Sequence, residues 1–351
     1  MRKDKMTQIV FDFDPLLYSC GPLAEERYVL VENTSTKEQW KVKNRSEFYG
    51  HWKKKQGGLL AQLNEGRFSP LDPELDFTYI DVQEPTKFKW ATNGVDAFIE
   101  RVCGVLGTND YYGYTGRGKV FRHDLATLHP YKHGRDAALK PVFINELKEY
   151  LVKHHGASYV EGIEADDAVT IESYAAFQEW KAGKRDPLIA AAVDKDYRCG
   201  PIHLFNPNED TLDTIDGFGK LWVQTNVAPD GKKTRQVKGE GRIWLIFQCL
   251  SGDDADTYWA NSGCLEKPWG EMSAYKLLCE CKTDKEAFQA LMDGYKQLYP
   301  EPKQFTNFRG DTFTIDALYC ASENFSLAKM LRWEGDHVKL KDVLTKLGIT
   351  Y

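Results

Sequence analysis

Four short apolar runs in this chain each end in a cluster of acids. Ile9-Val10-Phe11 leads into Asp12-Phe13-Asp14, and Tyr159-Val160 into Glu164-Ala165-Asp166-Asp167. Leu188 to Val193 leads into Asp194-Lys195-Asp196, and Ile243 to Leu250 into Asp253-Asp254-Ala255-Asp256. Short, continuously apolar strands are typical of parallel sheets buried on both faces. Ligands of such sheets collect at the carboxyl ends of the strands. Acids at the ends of successive runs therefore predict one negative pocket drawn from four distant segments.

The remaining pattern agrees with an α/β chain. Helical spacing marks Val95 to Leu106 and Ala165 to Trp180, and Pro141 to His155 sets Val142, Phe143, Leu147, Tyr150 and Leu151 on one face. Tyr111 to Tyr114, Ser158 to Val160 and His203 to Phe205 read as further strands, with a loop at Thr115 to Lys119. Arg27 to Val31 and Glu38 to Val42 predict a hairpin around Asn33-Thr34-Ser35. Residues 46–90 are polar and broken by Gly57-Gly58 and prolines, which predicts an insertion with little core of its own. Residues 213–240 read as a Gly- and Lys-rich connection, and from Ile243 the pattern is helical, with breaks at 261–270 and 299–313. The expected architecture is a mostly parallel central sheet covered by helices over 1–242, with an insertion at about 21–90, followed by a helical part over 243–351.

Taken singly, each acidic cluster suits a helix cap or a solvated turn. Taken together they cannot be left bare. Two carboxylates about 4 Å apart repel by roughly 4 kcal/mol at an effective dielectric of about 20. A few such pairs equal a domain's whole stability of about 5–15 kcal/mol. The pocket must bind cations or hold protons. Oxygen-only donors select hard cations, Mg²⁺ or Mn²⁺ rather than Zn²⁺. Glu164 and Asp167, three apart, share a helical face, and Asp166 points elsewhere, toward a second ion.

Composition narrows the partners. The 351 residues are 42% hydrophobic, enough for one large domain or two smaller ones, and the net charge of -6 weighs mildly against nucleic acid. Distribution matters more than the sum. Lys119, Arg122, Lys132, Arg135 and Lys140 are interleaved with Phe121 and Tyr131 and with His123, Thr127, His129 and His133. Cations among aromatics suit a surface that tracks a phosphate backbone and stacks bases. No apolar stretch reaches the roughly 18–20 residues of a membrane span, and the charged Met1 to Gln8 predicts no signal peptide. Eight scattered cysteines read as reduced thiols, and Cys279-x-Cys281 near Cys264 matches no zinc spacing.

The order Asp12, Tyr131-Lys132-x-x-Arg135, Glu161-Gly162-Ile163-Glu164-Ala165-Asp166-Asp167, Asp194-Lys195-Asp196 and Ser251-Gly252-Asp253-Asp254-Ala255-Asp256 resembles the 5′ nuclease family of flap endonucleases and 5′→3′ exonucleases, in particular its phage replication exonucleases. The resemblance covers roughly residues 110–260 and the first 20. It implies a PIN-type sheet and a C-terminal helix–three-turn–helix element gripping duplex DNA. It also implies two Mg²⁺ or Mn²⁺ ions, one held by Asp12, Glu164, Asp166, Asp194 and Asp196, the other by Asp167, Asp253 and Asp256. Lys132 and Arg135 would contact the scissile phosphate, with Lys119, Arg122, Tyr131 and Lys140 along the DNA. The implied partner is DNA with a 5′ end or flap, the product a 5′-phosphate, and the setting the cytoplasm of an infected bacterium. An RNase acting on RNA–DNA hybrids and a non-catalytic junction-binding protein are the alternatives. The chain departs from the family at Thr115-Gly116, where a strand-end acid is expected. It departs again after Asp256, where Thr257-Tyr258 and Cys264 to Gly270 replace the usual Asp-Asn and Gly-x-Gly, and it carries the 21–90 insertion.

Overall fold

The run Gln8–Asp12 (β1) is buried from its second residue to its last and forms an inner strand of a six-stranded sheet. The computed structural model describes residues 7–50, 57–135, 139–228, 231–266 and 268–351, the side chain of Arg135 excepted. After β1 come α1 (Asp14–Cys20), β2 (Glu25–Asn33), β3 (Gln39–Val42), α2 (Arg45–Tyr49), α3 (Leu59–Leu63), β4 (Phe77–Pro85) and α4 (Lys89–Leu106). Then follow β5 (Tyr111–Val120), α5 (Arg122–Leu125), α6 (Ile144–His155), β6 (Ala157–Gly162), α7 (Ala165–Lys181), β7 (Leu188–Ala191), β8 (Ile202–Asn206) and β9 (Thr211–Ile215). The chain ends with β10 (Lys220–Val227), β11 (Lys233–Glu240), α8 (Arg242–Ser251), α9 (Glu271–Leu278), α10 (Asp284–Leu298), β12 (Lys303–Thr306), β13 (Thr312–Ile315), α11 (Ala317–Ala328) and α12 (Leu340–Leu347).

Contacts divide the chain into two units, one of Met1–Pro15, Glu100–Leu139 and Leu151–Tyr351, the other of Leu16–Ile99 and Lys140–Tyr150. The first holds the large sheet, in the order β6-β5-β1-β7-β8-β9, parallel except for β9. Every residue of β7 is buried, as a strand covered on both faces requires. Gly113 lets β5 approach β1, since a Cβ there would lie 2.6 Å from the Phe13 ring, which stacks on Phe11 at 5.3 Å. Val10, Ala190, Leu204 and Ile215 pack with Val169 and Ala176 of α7 to form one core. The chain leaves β1 for β5 on one side and returns to β7 on the other. That reversal falls at the carboxyl ends of β1 and β7, where Asp12 and Asp194 stand and where sheets of this kind bind ligands.

The expected strands and helices of this unit are present, with differences. The loop expected at Thr115 to Lys119 continues β5 to Val120, because it pairs with β6. The connection expected at 213–240 is β9 and the β10–β11 hairpin. No core boundary falls at 242/243: Ala126, Leu128, Tyr131, Cys199 and Val237 share one apolar cluster with α8, α10 and α11.

The second unit corrects the reading of 46–90. These residues supply β4, α2 and α3, and β4 pairs with β2 along nine residues, so the expected β2–β3 hairpin becomes a three-stranded sheet. Val29, Val31, Val42, Phe48, Leu60 and Phe77 form its core. The signal was weak because that core uses single apolar residues scattered among polar ones. Phe48 is fully buried, with the rings of Phe77 and Tyr79 within 5.5 Å. Phe48→Ala should cost about 3–5 kcal/mol. Hydrogen exchange should then accelerate across β2 and β4 and stay slow in β7 and β8.

Candidate metal centre

The acids of all four clusters come within electrostatic range of one another in the first unit. Asp12 ends β1 and accepts hydrogen bonds from Tyr197 Oη at 3.1 Å and from the Asp14 amide at 3.1 Å. Asp194 caps a 3₁₀ turn, Lys195–Cys199, through the Asp196 amide at 3.0 Å. Gln248 Nε2, from α8, donates to Asp196 Oδ1. Glu164 caps α7, and ligand oxygens of Glu164, Asp166 and Asp167 lie within 4.8 Å of one another. Asp253 begins a turn in which its Oδ1 accepts from the Ala255 and Asp256 amides at 2.7 and 3.2 Å.

These carboxylates fall into two electrical classes. Asp12, Asp166, Asp194 and Asp196 form no ion pair among the described residues. Burial, with Asp14 and Asp194 nearby, pushes the Asp12 carboxyl up to about 7. Burial and Asp194 push Asp196 to about 8, against the opposing pull of Lys195. Burial, then Glu164 and Asp167, raise Asp166 well above the usual carboxylate range. The other four acids are matched by cations. Arg122 Nη1 lies 3.0 Å from Glu164 Oε2, and its two Nη atoms grip Asp167 at 2.5 and 2.8 Å. Lys132 Nζ meets Glu164 Oε1 and stands 3.7 Å from Asp256 Oδ1. Lys195 Nζ lies 2.7 Å from Asp253 Oδ2. Burial alone would raise Glu164 and Asp253, yet these cations hold both below their ordinary values.

Two residues expected along DNA are instead internal. Arg122 is 1% exposed, and its guanidinium also donates to the carbonyls of Leu327 at 3.1 Å and Lys329 at 3.0 Å. A side chain with every donor engaged inside the protein cannot track a backbone. The Tyr131 ring is buried, so it offers no stacking face, and its Oη lies 2.8 Å from Glu164 Oε2 and 3.0 Å from Asp256 Oδ2. Lys119 is exposed and paired with Asp124, and exposed Lys140 belongs to the second unit. Of the expected phosphate contacts, Lys132 is at the centre, and the side chain of Arg135 lies outside the described residues.

Sequence reasoning gave no individual role to Asp14, Lys195, Tyr197 and Gln248. Asp14 lies where Thr115-Gly116 left the strand end without an acid. Its Oδ1 accepts from Thr115 Oγ1 at 2.7 Å and from the Gly116 amide at 3.2 Å. A Cβ on Gly116 would come within 3.0 Å of Asp14 Oδ2. The i, i+2 spacing from Asp12 was its signal. Lys195, between two acids, and Gln248, on an apolar helix, had no pattern of their own.

The donor set is all carboxylate oxygen, which fits Mg²⁺ or Mn²⁺. No protein-family model and no curated protein matches the chain.

Two outcomes follow. Carboxyls raised to about 7 and 8 favour the fold while protonated. That contribution is full below the unfolded value near 3.9 and is lost as pH rises through the folded values. In EDTA the melting temperature should therefore fall between pH 5 and pH 8, and Mn²⁺ should restore more of it at pH 8. A calorimetric pH series checks this. Arg122→Met, which strands Asp167 in the core, should cost about 3–5 kcal/mol in urea unfolding.

Proposed function

We propose that this chain is a divalent-metal-dependent 5′→3′ exonuclease, with flap cleavage as a related activity, that hydrolyses DNA phosphodiesters to 5′-phosphates. One observation carries the reading. Oxygens of Glu164, Asp166 and Asp167 lie within 4.8 Å of one another, and Asp12, Asp194 and Asp196, which form no ion pair among the described residues, stand within electrostatic range of that group or of each other where the strand order reverses. Such a pocket has a strong electrostatic demand for hard cations, and phosphodiester hydrolysis is a leading use of them. The order and spacing of the motifs, which resemble the 5′ nucleases, support DNA as the substrate. So does the run of turns at 254–257, 260–263 and 265–266 between α8 and α9, where a helix–three-turn–helix grip would lie.

Asp12, Asp166, Asp194 and Asp196 would hold the metal, with Glu164 beside them. A bound Mg²⁺ or Mn²⁺ supplies Lewis acidity and a water of lowered pKa. Tyr197 fixes Asp12 through its hydroxyl, and Gln248 fixes Asp196. Lys132, with its ammonium beside Glu164, would meet a phosphate oxygen as charge builds on it.

The test is release of label from a 5′-labelled DNA duplex with Mg²⁺, with an RNA–DNA hybrid assayed in parallel. Asp194→Ala and Asp166→Ala should each lose roughly a thousandfold in rate, equivalent to about 4 kcal/mol. Asp254→Ala, an exposed acid bonded to Trp259 Nε1, should stay near wild type. Equal release by all four proteins, DNA binding without cleavage under any divalent metal, or cleavage confined to the hybrid would contradict the proposal.

A further inference from the structure

The acids that resemblance would assign to a second ion are already neutralised by the protein. Asp167 is gripped by Arg122, Asp253 by Lys195, and Asp256 faces Lys132. Both lysines converge on one loop from different elements, Lys132 from the segment after α5 and Lys195 from the 3₁₀ turn after β7. Lys132 takes a left-handed backbone conformation (φ 57°), which an L side chain rarely adopts, and its amide donates to the Asp256 carbonyl at 3.2 Å. The chain accepts that strain where it sets an ammonium group between Glu164 and Asp256. Lys195 is held equally firmly, because its carbonyl accepts from Trp244 Nε1 at 3.0 Å while its Nζ reaches Asp253.

We infer that Lys132 and Lys195 are resident counter-ions of the pocket: the free chain binds one divalent cation, among Asp12, Asp166, Asp194 and Asp196, and its own ammonium groups stand where a second would bind. The inference rests on the metal-dependent reading above. An ammonium 2.7 Å from Asp253 Oδ2 occupies the position a second cation needs, so that cation must displace it. A phosphate arriving with its own charge is the natural acceptor for the displaced lysines, which makes the second ion dependent on substrate.

The experiment is a Mn²⁺ titration of the full chain without nucleic acid, counting bound ions by electron paramagnetic resonance of the free metal. Wild type should bind one ion, and Asp194→Ala should lose it. Lys195→Met, at a half-exposed position, and Lys132→Met should each bind a second ion at least tenfold more tightly than wild type does. Lys195→Arg should return the count to one. Two ions of similar affinity on wild type, or a count unchanged in both methionine variants, would overturn the inference and leave the proposed function standing. No Mn²⁺ bound at all would overturn both.

Discussion

The Arg122 guanidinium joins the first turn of α7 to the chain that follows α11. It grips Asp167 with two hydrogen bonds, reaches Glu164 with a third, and spends the rest on the carbonyls of Leu327 and Lys329. Asp167 in turn accepts from the Leu331 amide at 3.1 Å. Two charges this deeply buried are costly to desolvate, and only full hydrogen bonding offsets that cost. Every donor and acceptor of the pair is engaged, so the arrangement fixes where α7 starts. The start of α7 in turn decides where Glu164 and Asp166 point. A second buried pair secures the same segment, Lys329 Nζ donating to Asp336 Oδ1 at 2.7 Å.

From that anchor the pocket divides by charge. Acids on the α7 side and in the 253–256 loop are matched by Arg122, Lys132 and Lys195. Asp12, Asp166 and Asp196 are left without a counter-ion and hold protons more tightly than isolated carboxylates do. This is the outcome electrostatics requires of converging carboxylates: each must find a cation or retain a proton. The distribution separates acids matched by cations from acids without a counter-ion among the described residues.

Much of this was legible in the residues. The apolar runs Ile9 to Phe11 and Leu188 to Val193 placed β1 and β7 and the sheet edge, because burial on both faces leaves a continuous apolar signature. The acids of the centre were readable from position and spacing. Less readable was the use made of each charge. Arg122 and Tyr131 look, in sequence, like a basic and aromatic surface, yet both are consumed by acids more than 30 residues away. Periodicity cannot distinguish a solvated arginine from a buried one whose partner is remote in sequence. The same limit hid the role of Asp14, whose partners Thr115 and Gly116 lie about a hundred residues on. The three-stranded sheet of the second unit was missed because β4 draws its pairing from β2, more than 40 residues earlier.

The most direct test of the account is diffraction from crystals soaked in Mn²⁺, recorded near the manganese absorption edge. The account predicts one anomalous peak bounded by Asp12, Asp166, Asp194 and Asp196, with Lys195 still on Asp253. A peak elsewhere on the chain, or none at millimolar Mn²⁺, would contradict it.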